Sequence, residues 1–390
     1  MSSRTELWKA VRFTNGSAQN MYETLVSVAR SSDSDARGQG IERPGMLSAI
    51  YEKFPSAAGP ATEVLVRALE TEKEMDSATI DRIQKLLVDK ESSAPEDEID
   101  IHRTSVAQTA ILLSSVLTFE YAKEKILKDR EVVGVMGHSL GQITALVAAG
   151  VISLLDGIRI VRERGLAMEE AAGDGGPLGT LRGSTGMGMI AVPVLSKKTS
   201  VEEIIRAIEA TAKETTSDGE VVNVANINSR KQVVISGHVE AMERVLARLQ
   251  PAVRRSTRLA VRIPFHSEVL RSVEGRMRAI VEEVEFAWPS PVFGSGVKIV
   301  RNDSARAMGS AEEARESIVK GCWAPVDWLG SVEYMEKECA GGGSGLDWIG
   351  VGPGSSVTAG LVKGTVEQAQ EEERVAYVDP QKGGDGWESV

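Results

Sequence analysis

The stretch that most constrains this chain is a short apolar run that breaks into a glycine-flanked serine. Val132-Val133-Gly134-Val135-Met136 has the length and branching of a buried strand. It runs into Gly137-His138-Ser139-Leu140-Gly141, and residues 143–150 then read as a helix. Glycines two before and two after Ser139 make a tight strand-to-helix turn sterically possible and lift the hydroxyl out of the backbone. The helix start leaves backbone N–H groups free to face a developing oxyanion, the Leu140 N–H first among them. A chance match in a chain with 38 glycines is the plain alternative. The strand before and the helix after are the context that the motif requires.

A serine at neutral pH needs a base, and the chain has only four histidines. His102 sits in a charged segment, and His238 follows a strand at the start of a helix. His138 adjoins the serine, and sequence neighbours across an elbow do not easily point at one another. His266 remains, in Ile263-Pro264-Phe265-His266-Ser267, where the chain passes from one apparent domain to another. Interdomain crevices commonly hold active sites. A helix N-cap neighbour without chemistry stays open as the other reading of His266.

The rest of the chain supplies the frame. Helical spacing covers two helices within residues 45–70, one around 80–88, one from 105 to 125 and one from 154 to 172. Residues 71–101 are acidic and read as a surface excursion. Residues 187–263 then alternate strand, helix, two strands, helix and a last strand over 257–263. That βαββαβ order is the split βαβ, ferredoxin-like unit. The fold class expected is therefore α/β: a large domain of α/β-hydrolase type with a parallel sheet, over 38–186 and 264–380, carrying a small ferredoxin-like insertion over 187–263. Residues 1–37 are read as a leader and 381–390 as a loose tail.

Composition narrows the partners. A net charge of −11 and a pI near 5.2 argue against nucleic acid or an anionic membrane. No apolar run approaches the roughly 20 residues that a bilayer demands, so a soluble chain is expected. The two cysteines, Cys322 and Cys339, lack any metal-ligand pattern and are expected to be buried thiols. Neither a metal nor another cofactor is expected. The N-terminal 37 residues are Ser-rich with five Arg or Lys, yet four acidic residues interrupt them. They read equally as a degenerate organelle signal or a plain leader.

At these motifs the chain resembles the malonyl-CoA:acyl carrier protein transacylases, including the acyltransferase domains of fatty acid and polyketide synthases. Gly38-Gln39-Gly40 with Met46 looks like the family's N-terminal GQG segment. The helix start around Gln108 is similar to its TQPA-type segment, and residues 137–141 match its GHSLG. Residues 159–165 resemble the stretch that supplies its carboxylate-binding arginine, and residues 225–237 its NxNSPxQxVISG stretch. Pro264-Phe265-His266-Ser267 matches its histidine motif, and Gly352-Pro353-Gly354 followed by Leu361 its C-terminal segment. Seven motifs in the right order are far more specific than any one of them. The lengths are similar to those of mitochondrial members, so mitochondria are the expected location, with the cytoplasm as the alternative.

The resemblance implies malonyl transfer from malonyl-CoA to the phosphopantetheine thiol of an acyl carrier protein, through an acyl-serine. It makes Ser139 the nucleophile and His266 the base, with the backbone N–H groups of Gln39 and Leu140 holding the oxyanion. It gives Arg164 the free carboxylate of the malonyl group, a bidentate task that suits guanidinium. Gln108 and Asn228 become pocket supports. Leu140 after the serine and Phe265 before the histidine follow the family's trend toward malonyl over methylmalonyl. Arg254, Arg255, Arg258 and Arg262 form the candidate carrier-docking patch, against the plain reading of a solvated face. A monomer is expected.

Two departures from the family stand out. Gln142 replaces the usual Glu after GHSLG, and little consequence is expected of it. The lead into Gly38 is polar where the family has an apolar strand, so either a strand is missing or residues 24–29 replace it. An altered lead of this kind would leave Gln39 poorly held. The competing readings are a serine esterase or thioesterase of α/β-hydrolase type, and a catalytically impaired relative that only binds acyl-CoA or carrier protein.

Overall fold

The computed structural model describes residues 19–25, 45, 47–70, 77–88, 103–127, 131–173, 186–194, 199–250, 253, 256–259, 261–339, 346–353, 355–366, 375–378 and 387–389. The strands are β1 Gln19–Leu25, β2 Glu131–His138, β3 Met187–Pro193, β4 Val222–Ser229, β5 Gln232–His238, β6 Thr257–Arg258, β7 Lys298–Ile299, β8 Val326–Asp327, β9 Asp347–Val351, β10 Val375–Val378 and β11 Trp387–Ser389. The α-helices are α1 Ser48–Lys53, α2 Pro55–Glu70, α3 Ser77–Val88, α4 Thr104–Ala122, α5 Leu140–Ala148, α6 Leu154–Ala171, α7 Val201–Thr215, α8 Val239–Arg248, α9 Glu274–Glu282, α10 Ala311–Lys320, α11 Trp328–Cys339 and α12 Ser355–Thr365.

The larger sheet runs β11-β10-β9-β1-β2-β7, parallel from β10 to β7 with β11 antiparallel at the edge. Helix α4 lies within the main core, and every residue from Thr104 to Phe119 is buried. Burial on every side replaces a single apolar stripe, and the uncharged Ser, Thr and Gln residues of α4 are buried with the apolar ones, Thr109 and Thr118 donating to carbonyls four residues back. The second sheet runs β6-β3-β5-β4-β8, with α7 and α8 packed on its own apolar cluster. Within residues 187–258 the elements follow the order βαββαβ. Strand β8 comes from the later part of the chain and pairs in parallel with β4. Phe265 packs against both the main core and the cluster under the second sheet, where the chain returns from one to the other.

Three expectations need correction. Residues 19–25, assigned to a leader, form β1 in the middle of the large sheet, hydrogen-bonded in parallel to β2 and β9. The strand proposed at 24–29 thus lies earlier in the chain, because its register is set against Glu131–His138 rather than by the next motif. Residues 387–389, assigned to a loose tail, pair with β10 as β11. The strand expected over 257–263 is only two residues long. Leu259 still donates to the Met189 carbonyl, but the chain then leaves the sheet for Pro264 and carries His266 toward β2.

Candidate active site

Ser139 occupies the turn between β2 and α5 with φ 54° and ψ −110°, a left-handed backbone that a side chain rarely adopts. The turn is so tight that a Cβ on Gly137 would lie 2.1 Å from the backbone of Gly141. Glycine at 137 is therefore a steric requirement of the elbow. Ser139 remains partly exposed, whereas its neighbours His138 and Leu140 are buried. The Leu140 N–H is the first of α5 and has no acceptor within the helix, so it is available to an oxyanion above the serine.

The Ser139 Oγ lies 2.7 Å from Nε2 of His266. The other ring nitrogen, Nδ1, lies 2.9 Å from the Ala324 carbonyl oxygen. A carbonyl only accepts, so Nδ1 carries the proton and Nε2 is left to accept from the serine hydroxyl. His266 also has a positive φ of 57° and is held by its N–H donating to the Cys322 carbonyl at 3.0 Å. Among the described residues only three non-glycines have positive φ, and two of them are this pair. Strain of that kind costs on the order of 1–3 kcal/mol per residue and persists only where surroundings over-determine it. Burial, followed by the nearby Arg164 charge, lowers the His266 pKa to about 3. The imidazole is therefore neutral at physiological pH, the state a general base requires.

Arg164 is 3% exposed on α6. Its guanidinium donates to Gln108 Oε1 at 2.8 Å and to the Gly321 carbonyl at 3.0 Å, and Nη2 reaches Ser139 Oγ at 3.4 Å. All three acceptors are neutral, and among the described residues no carboxylate pairs with it. Burial lowers its pKa, while the thiol of Cys322 beside it acts in the opposite direction. The helices bearing Gln108 and Arg164 meet because Gly165 has no side chain, since a Cβ there would lie 2.3 Å from Cα of Ser105. A buried ion pair locks that contact. Glu169 on α6 accepts from Arg103 at 2.5 Å and from the Ser105 N–H at 2.7 Å, so it also caps α4.

A strained serine, a neutral imidazole and an uncompensated buried cation form a constellation suited to acyl transfer from an anionic acyl group. No family model matches the chain. The malonyl CoA-acyl carrier protein transacylase of Escherichia coli (strain K12) is 30% identical over 332 residues, covering 85% of this chain and 91% of that one. The chain belongs to the malonyl-CoA:acyl carrier protein transacylase family. Its counterpart from Staphylococcus aureus (strain MW2) is 28% identical over 328 residues, 84% of this chain and 89% of that one. Among solved structures, a malonyl-transacylase in complex with its type II PKS acyl-carrier protein superposes with a TM-score of 0.65 at 26% identity, over 90% of this chain and 94% of that one. As a transacylase-family member the chain is an acyltransferase.

The transacylase motifs land unevenly. Ser139, His266, Arg164, Gln108 and Leu140 converge at the end of β2. Asn228 does not reach that group. It accepts from His138 Nε2 at 3.0 Å and donates to Gln232, behind the elbow. Asn226 lies 3.3 Å from the same His138 nitrogen, so β4 grips the residue before the nucleophile. His138 is fully buried, its pKa is lowered by that burial to about 4, and its ring packs on Trp328. His238 accepts from the Val221 N–H through Nδ1, a structural bond at the head of α8. Gln39, Arg254, Arg255 and His102 lie outside the described residues. Arg258 and Arg262 are exposed. Cys322 and Cys339 are buried free thiols.

Sequence reasoning missed the Ala324 and Gly321 carbonyls, since backbone acceptors carry no residue signal. It also missed Asn302, which no motif marks. Asn302 accepts from the Ser139 N–H at 2.7 Å.

Proposed function

We propose that Ser139, His266 and Arg164 carry the malonyl transfer. The observation that supports this most strongly is the Arg164 guanidinium, buried beside the serine hydroxyl with only neutral acceptors around it. A buried charge without a counter-ion costs several kcal/mol, a cost that the free carboxylate of a malonyl group relieves. Pairing with that carboxylate also screens the charge that depresses His266, so substrate binding strengthens the base.

The chemistry follows in two balanced halves. Ser139 Oγ attacks the thioester carbonyl as its proton passes to His266 Nε2. The oxyanion faces the Leu140 N–H, with the Gln39 N–H as the second proposed donor. Collapse breaks the C–S bond, and His266 returns the proton to the departing CoA thiolate. The phosphopantetheine thiol of an acyl carrier protein then gives its proton to His266 and attacks the malonyl-serine; collapse breaks the C–O ester bond, and His266 returns the proton to Ser139 Oγ as the malonylated carrier leaves. Phe265, wedged between the two cores, is proposed to narrow the room around the α-carbon. One methyl changes such discrimination by about 1–3 kcal/mol.

The exposed Arg258 and Arg262, together with Arg254 and Arg255, are proposed to dock the acidic carrier. Residence in mitochondria and a monomeric state are also proposed, and cell fractionation and analytical ultracentrifugation test them. The transfer itself is tested with purified protein, malonyl-CoA and carrier protein. Malonylated carrier is the expected product, and release of free malonate at an equal rate with or without carrier would support a hydrolase instead.

A further inference from the structure

Asn302 sits in the loop after β7, about 160 residues from the serine in sequence, yet its side chain makes two bonds to the strand side of the elbow. Its Oδ1 accepts from the Ser139 N–H at 2.7 Å, and its Nδ2 donates to the Gly137 carbonyl at 2.8 Å. One planar amide therefore brackets His138, the residue immediately before the nucleophile. Asn302 is itself held. Its N–H donates to Gln142 Oε1 at 2.7 Å, and its carbonyl accepts from the Asp327 N–H at 2.8 Å. Gln142 in turn donates to the Ser317 carbonyl of α10 at 3.2 Å. All of Asn302, Gln142 and Ser317 are buried.

We infer that Asn302, backed by Gln142, is a positioning residue that holds Ser139 in its left-handed conformation and so keeps Oγ within reach of His266. The inference rests on the reading of Ser139 as nucleophile. Its physical basis is the mismatch between the Ser139 backbone and what a serine prefers. With φ at 54° Ser139 leaves the strand path, so its N–H and the Gly137 carbonyl, one on each side of His138, turn to the Asn302 side chain, while the Ser139 carbonyl accepts from the Gln142 N–H at the start of α5. An asparagine amide offers an acceptor and a donor in one plane and satisfies both. Gln142 reads differently from the expectation that its identity matters little. Both ends of its amide are used, one toward Asn302 and one toward α10. A carboxylate at 142 would keep the acceptor and lose the donor. Asn302 touches no reacting atom, so its effect is on geometry alone.

The test separates the rate of acylation from substrate binding. Single-turnover release of CoA from malonyl-CoA, without carrier, is measured for wild type, Asn302→Ala, Asn302→Asp and Gln142→Leu, with circular dichroism as a check on folding. Asp retains the acceptor for the Ser139 N–H but turns a carboxylate oxygen toward the Gly137 carbonyl. The expected result is a fall of roughly 100-fold in the saturated rate for both Asn302 variants, the scale of a misplaced reacting group. For Gln142→Leu the expected fall is about 10-fold, and half-saturation by malonyl-CoA stays within about threefold in all variants, because Arg164 is untouched. Folded Asn302 variants that acylate within about threefold of wild type overturn the inference, and so does a rate loss matched by an equal rise in half-saturation. If neither Asn302 variant folds, the same two readings are taken from Gln142→Leu. Failure of wild type itself to release CoA refutes the nucleophile reading instead, and the two failures are distinct.

Discussion

The Nδ1 of His266 lies 2.9 Å from the carbonyl oxygen of Ala324. The proposed base is thus oriented by a backbone carbonyl, where a triad of the serine-protease kind uses a carboxylate. A carbonyl fixes the tautomer as firmly as a carboxylate does, but it brings no full negative charge to stabilise an imidazolium. The Arg164 cation nearby acts against the imidazolium, and binding of an anionic acyl group removes that opposition.

The pH dependence follows from this arrangement. His266 is held down to about 3, so its proton-accepting form survives well below the ordinary histidine range. Lowering the pH from 8 to about 5 should leave kcat/KM for CoA release, which reports the unliganded enzyme, nearly flat, with a loss only as the pH approaches the lowered value. A pH-jump measurement, brief enough to precede unfolding, checks this. An acid limb centred near 6.5 would contradict it.

Acid should instead cost stability. His138 and His266 are buried and neutral, with pKa values lowered to about 4 and about 3. Between those values and about 6.5 the unfolded chain binds protons that the folded chain refuses, so stability falls as pH falls through that window. Across that window His138 alone accounts for a loss of up to about 3 kcal/mol. His138→Gln should flatten the pH dependence of the urea midpoint between pH 7 and pH 5. An unchanged slope would count against buried neutral histidine as its source.

Much of the site was legible in the sequence because its parts are local. The strand, the elbow and α5 are contiguous, and the steric demand on Gly137 is set by Gly141, four residues on. Four histidines made elimination possible, whereas Arg164 was marked only by the resemblance of residues 159–165 to the family's arginine segment. What stayed hidden depends on distant backbone. Ala324 and Gly321 act through carbonyls that any residue carries, and Asn302 follows a strand of only two residues. Strands β7, β8, β10 and β11 are short and owe their form to neighbours in the sheet rather than to their own periodicity. β1 was misplaced for the same reason, since the partners that select residues 19–25 are over a hundred residues away.

Arg164 should govern which acyl group is used. Arg164→Lys keeps the charge but cannot reach Gln108 and the Gly321 carbonyl with the same planar fork. Malonyl transfer should fall by roughly 100-fold or more in kcat/KM, as expected when a charged hydrogen bond to substrate is lost. Acetyl transfer, which needs no carboxylate partner, should be spared or improved in Arg164→Ala. Competing malonyl-CoA and acetyl-CoA in one assay measure the ratio directly, and a parallel loss of both would deny Arg164 its role in selectivity.

The Arg103–Glu169 pair should matter to the site through the fold. Glu169→Ala leaves the Arg103 charge buried without this partner and removes the cap from the start of α4. The expected loss is about 3–5 kcal/mol of stability. Urea unfolding reads that loss, and KM for malonyl-CoA should rise as Gln108 loses its place against Arg164. A stability loss below about 1 kcal/mol would mean that the pair is idle.

The central claim is that Ser139 becomes the malonyl ester. Intact-mass spectrometry of the purified protein, mixed with malonyl-CoA and no carrier, tests it most directly. One malonyl adduct per chain is expected, mapped to the peptide bearing Ser139, lost in Ser139→Ala and discharged on adding acyl carrier protein. An adduct that persists in Ser139→Ala, or wild-type protein that forms none, would contradict it.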